Sequence, residues 1–98
     1  MTTWIHKKQE QEGTYLFSGT FLVTRGVSEK LSPAEIVAIY LSIQELVKET
    51  GGLDYFQVFE NEAGDKLYFI DQCDPEMMAQ ESFKEEYNHC TLLLSDEY

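Results

Sequence analysis

Ser32-Pro33-Ala34-Glu35-Ile36-Val37-Ala38-Ile39-Tyr40-Leu41-Ser42-Ile43-Gln44-Glu45-Leu46-Val47-Lys48-Glu49-Thr50-Gly51-Gly52 is the stretch on which the reading of the fold turns. Ser32 can accept from the first free N–H groups of a helix, Pro33 suits its first position, and Glu35 closes a capping box. Ile36, Ile39, Tyr40, Ile43, Leu46 and Val47 recur at steps of three and four, while Glu35, Ser42, Glu45 and Glu49 fall mainly on the other side. Gly51-Gly52 supplies the left-handed stop. The pattern predicts a helix over Ser32–Glu49, roughly 27 Å long at ~1.5 Å per residue. That length lies across one face of a four- or five-stranded sheet.

The flanks supply the strands. On the C-terminal side, residues 53–60 and 66–71 alternate in apolar character, with Leu53, Tyr55 and Phe59 interleaved with Phe56 and Val58, then Leu67 and Phe69 against Tyr68 and Ile70. Asn61-Glu62-Ala63-Gly64-Asp65 between them is turn chemistry, so the two runs form a hairpin. Both of its faces carry aromatic residues, so one meets the helix and the other needs a cover. On the N-terminal side, residues 15–24 place Tyr15, Phe17, Phe21 and Val23 on one face and Ser18, Thr20 and Thr24 on the other. Gly19 in mid-strand implies a bulge or the close approach of another backbone. Thr3-Trp4-Ile5-His6 is also strand-like, and the polar connection Lys7 to Gly13 makes an opening hairpin of the two. Beyond Asp71, Asp74-Pro75-Glu76 can start a short helix with Asp74 as its cap and Met77, Phe83 and Tyr87 as apolar contacts. The run His89 to Leu94 reads as a closing strand, with a second short helix as the alternative.

The expected fold is therefore α+β, a single domain over residues 1–98, with an antiparallel sheet of four or five strands and one main helix packed across one face. At 98 residues and 43% hydrophobic content there is material for one modest core. No apolar run approaches the roughly 20 residues of a membrane span, and the polar start lacks the apolar segment of a signal peptide. Those two observations imply a cytoplasmic protein. Cys73 and Cys90 have sixteen residues between them, a spacing that fits neither a redox pair nor a structural zinc site. They read as free thiols packed as small hydrophobes, with a disulfide as the alternative if the compartment were oxidising.

Charge is the compositional feature with functional content. Seven basic against eighteen acidic residues give a net charge of −11, too acidic to neutralise phosphates or anionic lipid unaided. Direct nucleic-acid binding is not expected. The acidity is uneven, with a net of +1 over residues 1–30 and −12 over residues 31–98. Asp71, Asp74, Glu76, Glu81, Glu85 and Glu86 lie in a segment whose only basic residue is Lys84. If clustered in space, these carboxylates would steer a protein partner with a basic surface. A solvated, solubilising face is the simpler account of the same residues. No Asp-x-Asp-x-Asp-Gly loop is present and residues 61–65 are too short to wrap calcium, so no metal and no cofactor are expected. His6 and His89 lie in no nucleophile or metal motif. Adjacent Cys90 and His89 would point to opposite faces of a strand. Gly-rich phosphate loops, H-E-x-x-H and G-x-S-x-G are all missing. Nothing in the sequence argues for an enzyme.

Phe21-Leu22-Val23-Thr24-Arg25-Gly26-Val27, then Leu31-Ser32-Pro33-Ala34, Leu67-Tyr68-Phe69-Ile70-Asp71, and finally Leu92-Leu93-Leu94-Ser95-Asp96-Glu97-Tyr98 follow an order that resembles a family of small uncharacterised bacterial proteins found on plasmids and prophages. The resemblance spans about two thirds of the chain. It implies a strand, a helix, a hairpin and a helical tail, but no activity and no catalytic residues. The chain departs from that family at Cys73 to Cys90, where it has a longer acidic insertion. A mobile-element setting is also implied, in which small acidic proteins act as inhibitors of DNA-handling machines.

Two non-enzymatic readings follow from these residues. In the first, the chain is an interaction or regulatory protein that binds a basic partner through Asp71, Asp74, Glu76, Glu81, Glu85 and Glu86, inhibiting a nucleic-acid-handling machine by charge mimicry. In the second, it is a structural or assembly subunit that forms a homodimer through Phe56, Val58, Tyr68 and Ile70 on its second sheet face. A small-molecule site or enzyme is a third reading, for which the sequence offers no polar constellation.

Overall fold

In the computed structural model, which describes residues 4–7 and 12–98, the chain runs β1 (Trp4–Lys7), β2 (Thr20–Val23), α1 (Arg25–Lys30), α2 (Pro33–Thr50), β3 (Phe56–Asn61), β4 (Lys66–Asp71), α3 (Pro75–Met78) and β5 (His89–Leu94). Single 3-10 turns at Glu85–Tyr87 and Ser95–Glu97 flank β5. The strands form one sheet in the order β1-β3-β4-β5-β2, with α2 the long helix against it. The fold is α+β.

Helix α2 forms as its sequence dictates. Glu35 N–H donates to the Ser32 hydroxyl at 3.2 Å, and Ser32 N–H donates to the Glu35 carboxylate at 2.9 Å. That second bond holds the Glu35 carboxyl below its ordinary range. Gly51 ends the helix at φ 83°, where a side chain would be strained. Ile39 and Ile43 are buried, and Ile36, Tyr40 and Val47 pack around them onto Phe17, Val27, Leu31, Phe59, Leu67, Phe69, Cys90 and Leu92. The ring of Tyr40 lies 4.6 Å from that of Phe21, which in turn meets Phe69 at 5.4 Å. The apolar stripe of the helix thus seats on the inward residues of β2, β3, β4 and β5.

The hairpin of β3 and β4 pairs Phe56 with Ile70, Val58 with Tyr68 and Glu60 with Lys66. Its turn is held by the Asn61 side chain, whose Oδ1 accepts from Ala63 and Asp65 N–H at 3.0 and 2.9 Å. The closing segment is the strand β5, antiparallel to β4. The helical tail implied by the family resemblance is not formed there.

Three expectations are corrected at the N-terminal side. The opening hairpin does not form: β1 pairs antiparallel with β3, at one edge, and β2 pairs with β5, at the other. The connection from Lys7 to Gly13 lies largely outside the described residues. The β2–β5 pair is also parallel, so the sheet is mixed rather than wholly antiparallel. Residues 15–24, finally, are not one strand. Tyr15 makes an isolated bridge to Leu53, Phe17 adopts φ 49°, and regular pairing resumes only at Thr20. Phe17 is fully buried, whereas Val23, expected on the same face, is the last residue of the edge strand β2 and is 38% exposed. Gly19 marks a close backbone approach, since a Cβ built there would lie 2.3 Å from the Asn88 carbonyl oxygen. The short helix α1 was not expected from the sequence. Thr24 caps it by accepting from Val27 N–H at 3.3 Å, and Val27 drops into the core.

Candidate functional site

Two surfaces carry the residues singled out from the sequence. The first is the connection from Gln72 to Asn88, which joins the neighbouring strands β4 and β5 and holds Asp74, Glu76, Glu81, Glu85 and Glu86 against Lys84 alone. Adjacent antiparallel strands need only a short turn, so 17 residues at this point are an addition rather than a structural necessity. Its course is fixed by local bonds. Asp74 caps α3 by accepting from Met77 N–H at 2.8 Å, and Cys73 Sγ donates to the Tyr87 carbonyl at 3.3 Å, tying the two ends of the connection together. Glu76, Glu81, Glu85 and Glu86 are all exposed. Asp74 is half-buried and its carboxylate is engaged in the cap.

Asp71 lies elsewhere. It is 3% exposed, and its carboxylate accepts from Phe17 N–H at 2.9 Å and from Cys73 N–H at 3.5 Å. Burial pushes its carboxyl above the ordinary range, and the backbone N–H donors pull in the opposite direction. Asp71 is therefore an internal clamp on the left-handed turn at Phe17 and not part of the acidic surface. The period of two in β4 carries the signal: Asp71 is in phase with Leu67 and Phe69, both of which face the helix.

Beneath the acidic connection lies an open cleft of about 400 Å³ lined by Gln72, Cys73, Met77, Gln80, Ser82, Phe83, Glu86, Tyr87 and His89. The rings of Phe83 and Tyr87 sit 6.4 Å apart, nearly perpendicular. Asn88 Oδ1 and His89 Nδ1, where the connection rejoins the sheet, are buried without a hydrogen-bond partner.

The second surface is the sheet face opposite α2. The register places Ile5, Lys7, Phe56, Val58, Glu60, Lys66, Tyr68, Ile70, His89, Thr91, Leu93, Thr20 and Leu22 on it. Phe56, Val58, Tyr68 and Ile70 are thus brought together, each half-buried. Tyr98 folds back over them, its ring 5.6 Å from those of Phe56 and Tyr68. The turn that returns it is fastened by Glu97, whose carboxylate accepts from the Thr24 hydroxyl at 2.6 Å and from Leu94 N–H at 2.9 Å.

Both cysteines are free and buried. Desolvation pushes the Cys90 thiol up to about 12 and raises that of Cys73, so neither supplies a thiolate at neutral pH. His6 Nε2 lies 2.7 Å from Gln57 Oε1, and Gln57 Nε2 donates to the Asp54 carbonyl at 2.8 Å. Among the described residues, neither histidine is hydrogen-bonded to a Ser, Thr or Cys, and no three His, Cys, Asp or Glu residues are grouped to hold a metal ion. No helix among them is long and apolar enough to cross a membrane.

Comparison with protein-family models, with curated proteins and with solved structures finds no match to this chain.

Proposed function

We propose that the chain is a non-enzymatic interaction protein that binds a partner with a basic surface through the connection between β4 and β5. The observation that carries this reading is the set of four exposed carboxylates, Glu76, Glu81, Glu85 and Glu86, on a segment longer than the topology requires. Opposing them is one Lys, so the local potential is negative and attracts cationic groups over about a Debye length. The cleft beneath suits a Lys or Arg side chain in particular: Phe83 and Tyr87 offer aromatic faces and Glu86 a carboxylate at the same opening. Basic faces of this kind are characteristic of proteins that handle nucleic acid, so the proposed outcome of binding is occlusion of such a face by charge mimicry.

The test reverses Glu81, Glu85 and Glu86 to Lys together, at exposed positions where the fold tolerates the change. Partner captured from a cell extract at low salt is then presented to parent and variant at about 50 and about 300 mM salt. Association of the variant is expected to be slower by about tenfold or more at the lower salt, with the two proteins converging at the higher. Equal rates at the lower salt would overturn the reading.

A further inference from the structure

The sheet face opposite α2 carries few charged side chains for so acidic a chain. Its charged side chains are Lys7, Glu60 and Lys66, with Glu60 directly opposite Lys66 across β3 and β4, in a chain of net charge −11. Its centre is the aromatic and aliphatic group Phe56, Val58, Tyr68, Ile70 and Leu93. Its margins expose Ile5 at 56%, Leu22 at 42% and Tyr98 at 72%. The patch therefore runs across all five strands, from the β1 edge to the β2 edge, rather than being a few scattered side chains.

We infer that this face is the interface of a homodimer, two copies packing sheet against sheet. Charge permits a second copy. The face carries Lys7 and Lys66 against Glu60 alone, so the apposed surfaces themselves add little to the repulsion between two chains of net −11. Area permits it as well. Five strands ~4.8 Å apart and four to six residues long present about 450 Å² in plan. Two such faces with their side-chain relief therefore bury about 1,000 Å² or more, the lower bound for a specific interface. Packing of two sheets at about −30° and ~10 Å separation needs no backbone change. Tyr98 lies on Phe56 and Tyr68 and contributes its ring to the contact. The proposal rests on other observations than the acidic surface does, although the two surfaces adjoin at His89, which lines the cleft and stands in phase with Thr91 and Leu93.

Sedimentation of the protein over about 5–500 μM separates the outcomes. The parent is expected to sediment as a dimer of twice 11.4 kDa at the upper concentrations, and the dimer should hold or tighten as salt rises, because screening relieves the net repulsion. Ile5→Lys with Leu22→Lys changes only side chains that are already exposed, and should weaken association tenfold or more while the circular dichroism spectrum is unchanged. Val58→Lys with Ile70→Lys, at the centre, should abolish it. If the central variant fails to fold, the marginal one decides. A parent that remains monomeric throughout the range, or a dimer that the marginal pair leaves intact, would overturn the inference. Neither result bears on the association kinetics of the Glu81, Glu85 and Glu86 variant.

Discussion

Asp71 shows how one residue can be misjudged by its type and explained by its phase. As one acidic residue among many it belongs with the surface carboxylates, yet its alternation with Leu67 and Phe69 turns it inward. There it satisfies the N–H of Phe17, a non-glycine residue at φ 49°. Asp71→Ala leaves that buried donor unpaired and should cost about 1–3 kcal/mol, read as a shift in the denaturant midpoint. Asp71→Asn keeps an acceptor and removes the titration, which makes a pH comparison informative. The carboxyl is raised in the folded state, so its contribution to stability is complete below its unfolded pKa of ~3.9 and is lost as pH rises through the folded value. Relative to the Asp71→Asn variant, the parent should therefore lose stability as pH rises above about 4 and be level below that. The lowered carboxyls of Glu35, Asp65 and Glu97 act in the opposite sense, but they are common to both proteins and cancel in the difference. A parent that gains on the variant as pH rises would show that the backbone donors, not burial, dominate at Asp71.

The elements divide by how locally their sequences specify them. Helix α2 was legible because cap, stripe and stop agree, and the β3–β4 hairpin because its turn residues sit between two alternating runs. Ser32→Ala should cost about 1 kcal/mol through the lost cap, and Ile43→Ala, fully buried at the centre of the stripe, roughly 2–5 kcal/mol; thermal melts of the two variants would measure both. The N-terminal elements were not legible in the same way. The left-handed turn that interrupts the run from Tyr15 to Thr24 is bonded at Phe17 to a carboxylate 54 positions away, Asp71, and β1 and β2 take the two edges of a sheet whose centre comes from later in the chain. No window of local sequence contains either fact. Helix α1 has only six residues, too few for an apolar period to register, and Gly26 within it argues against a helix on propensity. For the candidate site, the exposed glutamates and the second aromatic face could both be read from spacing. The cleft between Met77, Phe83 and Tyr87 could not, because it depends on Cys73 meeting the Tyr87 carbonyl.

On the scale of the molecule, the two surfaces have different physics and divide the chain between them. Under the two proposals, association through the first would weaken as salt rises, whereas association through the second would hold or tighten. The strand order has a separate consequence. β5 is the final strand in the sequence, yet it stands inside the sheet, between β4 and β2, and Thr20 must find His89, 69 positions later, before β2 has any neighbour. While the chain is being synthesised, α2 and the β3–β4 hairpin can form early, but β4 keeps an unpaired edge and Leu67 and Phe69 lack half their cover until residues 89–94 emerge. Such long-range pairing places refolding in roughly the millisecond-to-second range rather than the microsecond range of helical domains of this size. A chain ending at Asn88 should show no cooperative unfolding transition, although it retains the whole of α2. Assembly of the sheet is thus held back until residues 89–94 have left the ribosome, and a nascent chain stalled short of β5 is a substrate for chaperones and proteases rather than a smaller version of the domain.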